Sequence, residues 1–208
     1  MDFLAAGIAM GFSLAAPIGP VNIETVKRGF HSGFTAAFSV GLGAFFGDAL
    51  YCVLLLAGLV PFISGIPGLE RVLWGIGSLI MLYLGWGGIK EFWAKAPVDL
   101  SEGRPTGAAA NMAVGFTAAF FNPYAFLWYL TAGGAFVSTG VSRGGMEGGT
   151  VAVLSFLSGV FLWMLFLAAG VHWARRYITP LTMRIVSGLS GVALWGFAVW
   201  FAVKFLAV

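Results

Sequence analysis

The stretch Ala16-Pro17-Ile18-Gly19-Pro20-Val21-Asn22 lies inside an apolar run that extends from about residue 3 to about residue 29, and it decides how the rest of the chain is read. Each proline removes an amide donor and crowds the carbonyl four residues back, so an unbroken helix would leave the carbonyls of Ser13 and Ala16 without partners. In hydrocarbon such freed groups are tolerated only where protein or a wet cavity satisfies them. The stretch reads as a break in a membrane helix, placed at Pro17, Gly19 and Pro20.

The composition makes the membrane setting firm. The 208 residues are 60% hydrophobic and 9% charged, whereas globular chains carry about a quarter charged residues. A spanning helix takes roughly 20 apolar residues, so the length holds about six spans and leaves nothing for a soluble domain. The runs fall at about 3–29, 34–58, 70–93, 110–134, 149–173 and 183–206. Met1-Asp2-Phe3 has no positive n-region, so the first run is expected to stay as a span and not to act as a cleaved leader. A single cysteine, Cys52, makes no intrachain disulfide, redox pair or thiolate cluster, and two isolated histidines add no metal site. The net charge of +3 is too dispersed to point to nucleic acid. Nothing in the sequence requires a cofactor.

A polar linker, 94–109, divides the chain into halves 1–93 and 110–208, with Lys95, Pro97, Asp99, Glu102, Arg104 and Pro105 as its punctuation. Gly11-Phe12-Ser13-Leu14-Ala15 matches Gly115-Phe116-Thr117-Ala118-Ala119, and each segment soon meets proline, at Pro17 and Pro20 or at Pro123. Further along, Gly47 aligns with Gly159, Arg71 with Arg184 and Gly75 with Gly188. Three spans per half is an odd number, so the halves are expected to lie in opposite orientations, the inverted-repeat plan of many secondary transporters. Lys27, Arg28, Lys90, Lys95, Arg104, Arg175, Arg176 and Arg184 fall at one set of helix ends, against Arg71, Arg143 and Lys204 at the other. That bias places the first set, and the linker, in the cytoplasm and both termini outside.

Asn122-Pro123 repeats the break in the second half: Asn is a good N-cap and Pro a good first helical residue, so a half-helix starts there. Such a start aims amide donors at whatever fills the break, which suits a carboxylate. Asp48 lies near the middle of the second run, where a charged carboxylate costs roughly 2.5–3.5 kcal/mol on insertion scales. It must face protein or water, carry a proton, or both, and can trade that proton for a cationic substrate. Asn22 is a neutral donor and acceptor beside the first break. Glu24 is open to two readings: a screened surface pair with Lys27 and Arg28, or an inward-facing second acid. Gly43, Gly47, Tyr51, Tyr124 and Trp128 are candidate cavity-lining residues; Tyr124, Trp128 and Tyr129 could cap a substrate cavity, although most aromatics are expected to pack or to sit in interfacial belts. The pairs Gly43/Gly47, Gly7/Gly11 and Gly29/Gly33 suit close helix contact within one chain or between copies, so a homo-oligomer is compatible with the sequence.

Over essentially its whole length the chain resembles the lysine exporter (LysE/RhtB) superfamily of bacterial amino-acid effluxers. The resemblance rests on Gly11-Phe12-Ser13 leading into Pro17-Ile18-Gly19-Pro20-Val21-Asn22, on Gly41-Leu42-Gly43-Ala44-Phe45-Phe46-Gly47-Asp48, and on Gly115-Phe116 followed by Asn122-Pro123. It implies six helices in the bacterial cytoplasmic membrane, among its lipids, and proton-coupled export of amino acids. Carried over position by position, it marks Gly47 and Asp48, then Pro17, Gly19 and Pro20, then Asn122 and Pro123, with Asn22 matching lysine-exporter-like members. Lysine, another basic amino acid or a small one is the implied substrate. Against this stand efflux of a divalent metal cation, with Asp48 and Glu24 as oxygen ligands, and a membrane-embedded enzyme. The latter is disfavoured because the chain shows no nucleophile–base pair.

Overall fold

The computed structural model describes residues 2–59, 65–94 and 107–207. Every regular element among them is helical. The chain runs through α1 (Asp2–Ala15), α2 (Pro20–Ser32), α3 (Phe34–Leu56), α4 (Leu69–Trp93), α5 (Ala108–Phe120), α6 (Pro123–Trp128), a π-helical turn (Tyr129–Gly133), α7 (Gly134–Arg175) and α8 (Pro180–Ala207). The polar residues expected to form the linker, from Lys95 to Pro105, lie outside the described residues.

The prolines end and start helices as their missing donors require. Helix α1 makes its last bond from the Ala16 amide to the Phe12 carbonyl and stops; α2 begins with Pro20 as its first residue after an extended Gly19. The two helices meet at 74°. Gly33, at φ 85°, then turns the chain from α2 into α3, a left-handed conformation that a side chain would strain. The second break is shorter: α5 ends at Phe120, and Asn122 caps α6 before Pro123.

Four segments are long and apolar enough to cross a membrane, namely Phe34–Leu56, Leu69–Trp93, Pro123–Arg175 and Pro180–Ala207, and the bent pair α1–α2 makes a fifth. The third of these is not straight. Gly144 and Gly145 leave helical geometry within α7, and the flanking arms fold together so that Gly140 and Gly148 meet backbone to backbone. The fourth run, expected at about 110–134, therefore does not stop near residue 134; the helix passes through the π turn and continues to this bend.

Glycines set how closely the helices approach. A Cβ on Gly11 would fall on the Phe156 carbonyl and one on Gly159 on the Ile8 carbonyl, which locks α1 against α7. A Cβ on Gly115 would fall on the Val40 carbonyl and one on Gly43 on the Met112 carbonyl, which locks α5 against α3 in the same way. Ile8 and Gly11 hold on α1 the places that Met112 and Gly115 hold on α5, and Val40 and Gly43 answer to Phe156 and Gly159. Gly47, which the sequence aligns with Gly159, lies one turn beyond Gly43 along the same face and meets Ala119 at ordinary contact distance. Helices α4 and α8 form a third close pair through Gly85, Gly88 and Gly191. Apolar side chains fill the remaining space around Tyr129 and Phe156 on one side and around Trp74 and Phe201 on the other.

Candidate functional site

Both helix breaks open onto one cavity of about 430 Å³. The first break contributes Pro17, Ile18, Gly19, Pro20 and Asn22, and the second contributes Asn122, Tyr124 and Trp128. Asp48 of α3 supplies the only Asp, Glu, Lys, Arg or His side chain among the described lining residues. It is 8% exposed. Its Oδ1 accepts a hydrogen bond of 2.8 Å from the Tyr129 hydroxyl, and its Oδ2 has no hydrogen-bond partner among the described residues. The remaining walls come from α7 and α8, with Trp163, Met164, Leu167, Phe197 and Phe201.

Asn22 staples the first break. Its Nδ2 donates to the carbonyls of Ala15 and Pro17, each at 2.8 Å, and its Oδ1 accepts from the Trp163 indole at 3.2 Å. The break thereby turns the carbonyls of Ala15 and Pro17, and at 3.5 Å that of Ala16, towards a side-chain amide, and the Ala16 carbonyl is one of the two that an unbroken helix would have lost. At the second break Asn122 Oδ1 accepts from the Tyr124 amide at 3.0 Å, which is N-cap geometry, and its Nδ2 is left unbonded among the described residues. Neither break leaves the backbone to fend for itself in an apolar medium.

Glu24 lies apart from this cavity. It is completely buried, so the screened surface pair is not what the chain builds. Lys27 and Arg28 each bind one of its oxygens, and Arg28 Nη1 reaches the Asn111 side chain of α5 at 2.7 Å. The bend at Gly19 turns α2 across α3 and α7, which covers a triad that a straight helix would have left at an interface.

The profile of the family described as LysE type translocator matches residues 12–205. The chain belongs to the LysE family. It is 28% identical over 201 residues to YcgF of Bacillus subtilis (strain 168), named for amino acid efflux, with 97% of this chain and 95% of that one aligned. It is 24% identical to the leucine efflux protein of Klebsiella pneumoniae subsp. pneumoniae, over 95% of this chain and 93% of that one. It is also 30% identical to the arginine exporter protein ArgO of Salmonella paratyphi A, over 94% and 90% respectively. No solved structure matches the chain.

Of the residues singled out by sequence in this LysE-family chain, Asp48, Asn22, Asn122, Pro17, Gly19, Pro20, Tyr124 and Trp128 share the cavity. Pro123 is buried directly behind Asn122 as the first residue of α6. Gly43, Gly47 and Tyr51 do not line the cavity. The two glycines face α5, and the Tyr51 hydroxyl donates to the Phe120 carbonyl at 2.6 Å, with its ring stacked between those of Phe120 and Tyr129. Tyr129, a possible cavity cap that was not among the candidate site residues, is the partner of Asp48. The signal that could have found it is its place just after the second break, at the residue where α6 passes into a π-helical turn; π bulges recur at functional sites. No three His, Cys, Asp or Glu side chains converge on a metal-sized site among the described residues.

Proposed function

We propose that this LysE-family chain exports amino acids across the bacterial cytoplasmic membrane, coupled to the proton gradient, through the cavity between its two broken helices. The observation that carries this reading is Asp48: a single carboxylate, buried on an apolar helix, with one oxygen held by Tyr129 and the other directed to a cavity of ligand size. A carboxylate so placed binds either a proton or the ammonium of an amino acid. Release of one on binding the other couples the two flows. Asn22 holds the first break in shape, and Asn122 presents a free amide to the substrate carboxylate.

The scaffold in this reading is six spans in two inverted three-helix repeats, 1–93 and 110–208, with both termini outside. The folded arms of α7 separate a fourth from a fifth span, since a straight 53-residue segment would be about 80 Å long against a hydrocarbon core of about 30 Å. The paired glycine crossings, α1 on α7 and α5 on α3, exchange with each other when the halves are swapped. Rocking one repeat against the other about these crossings would expose the cavity to alternate sides.

The test is efflux from proteoliposomes loaded with amino acids, with and without an imposed proton gradient, for the wild type and Asp48→Asn. Gradient-stimulated efflux in the wild type, lost by roughly a hundredfold or more in a variant that melts normally, is the expected result. Equal efflux from both proteins would remove Asp48 from the coupling.

A further inference from the structure

We infer that the cargo is an amino acid with an uncharged, apolar side chain of about leucine size or larger, and not a basic one. This rests on the reading of the cavity as the amino-acid site. A zwitterion needs one anion for its ammonium and hydrogen-bond donors for its carboxylate, and the cavity supplies each once. Asp48 Oδ2 is unpartnered and is the only anionic group in the described lining. The same lining holds Asn122 Nδ2, unbonded, and Val21 and Asn22, whose amides the first turn of the 13-residue α2 leaves without helical partners and no capping side chain covers. The unpaired, nine-tenths buried carboxylate is what separates this helix start from an ordinary one.

Once those groups are engaged, no charge remains for a side chain. Glu24, the other carboxylate buried among the helices, has both oxygens bound by Lys27 and Arg28 and does not reach the cavity. The walls left over are Ile18, Met164, Leu167, Phe197 and Phe201, together with the Trp163 ring, whose indole N–H is already spent on Asn22. Thr25 turns its hydroxyl back to the Val21 carbonyl of its own helix. The Ser13 and Tyr124 hydroxyls and the Trp128 indole are the polar remainder, and they are neutral. A guanidinium or second ammonium in this space would lie unpaired against hydrocarbon, which is strongly unfavourable, while a branched or aromatic side chain would gain burial. An acidic side chain fares no better, since no cation lines the cavity among the described residues.

The experiment compares leucine, phenylalanine, arginine, lysine and glutamate in two assays on the intact protein: the shift each causes in the melting temperature, and gradient-driven efflux from proteoliposomes. Leucine or phenylalanine should stabilise the protein and leave at least about tenfold faster than arginine, lysine or glutamate. Leu167→Glu, which adds a second anion to the apolar wall, should move the leucine-to-arginine ratio towards arginine by a similar factor; Leu167→Gln, of the same shape without the charge, should not. Arginine or lysine binding and leaving as well as leucine would overturn the side-chain inference while leaving the export reading in place. Stabilisation by leucine without gradient-driven efflux would keep the inference and overturn the coupling. No stabilisation and no efflux by any of the five, from protein that melts cooperatively, would overturn both.

Discussion

Asp48 and Glu24 are both carboxylates buried among apolar helices, at 8% and 0% exposure, and their surroundings are opposite. Glu24 has two cations on its own helix, three and four residues away, so its charge is neutralised where it stands, and Arg28 ties the group to Asn111 on α5. Asp48 has one neutral hydroxyl and an open cavity. The first acid has no vacancy and fixes helices; the second keeps one oxygen available and can exchange partners. Burial of a carboxylate in a membrane protein therefore does not by itself mark a transport site. The partner set does, and neutralising each acid separates the two roles.

Asp48→Asn should give the largest effect on function and little on folding, as set out above. Glu24→Gln should do the reverse. It strips the counter-charge from Lys27 and Arg28, whose side chains are only 12% and 20% exposed. Breaking a fully buried pair costs roughly 3–5 kcal/mol, and the residual exposure of the cations puts this one at about 3 kcal/mol. The readout is a lower melting temperature in detergent, with efflux per folded molecule within about twofold of wild type. A Glu24→Gln protein that melts normally but does not transport would erase the contrast and move Glu24 into the site.

Tyr129→Phe sharpens the comparison from the other side, because it takes away the one group that holds Asp48. A hydrogen bond to a charged group contributes about 1.5–3 kcal/mol, so efflux should fall by roughly tenfold to a hundredfold if the carboxylate must be held in place to work. Rates unchanged in Tyr129→Phe would show that the cavity positions Asp48 without this hydroxyl.

Much of this arrangement was legible in the sequence, for reasons that are local. Pro17, Pro20 and Pro123 remove donors wherever they stand, so the breaks could be read without a fold, and an aspartate in an uncharged apolar run is conspicuous at Asp48. What escaped depends on how distant elements meet. The spacing of Glu24, Lys27 and Arg28 gives their pairing, but whether the triad faces water is set by the 74° bend that lays α2 across its neighbours. Gly43 and Gly47 are one turn apart on the same face, so a pattern of small residues could not tell which one faces the Met112 carbonyl. Tyr129 and Asp48 lie 81 residues apart in the chain and meet only because distant elements pack together, which no local periodicity anticipates. The fourth run is expected from sequence to end near residue 134, yet the chain does not stop there; it bends at Gly145, where φ is 59°.

Tyr51 provides the smallest and most discriminating test. It sits one turn from Asp48 on α3, and its ring stacks on that of Tyr129 with centroids 4.7 Å apart, so proximity alone would make it a site residue. Its hydroxyl, however, is committed to the Phe120 carbonyl, at the end of α5 where the second break begins. Tyr51→Phe keeps the stacked ring and removes only that bond. The expected loss is about 1 kcal/mol of stability, the usual scale for one neutral hydrogen bond, with efflux within about twofold of wild type. A large fall in efflux with normal melting would mean that the Phe120 carbonyl must be held for transport, and that the second break itself moves in the cycle. The line between groups that fix helices and groups that exchange partners would then run through α5, and not between the surroundings of Glu24 and those of Asp48.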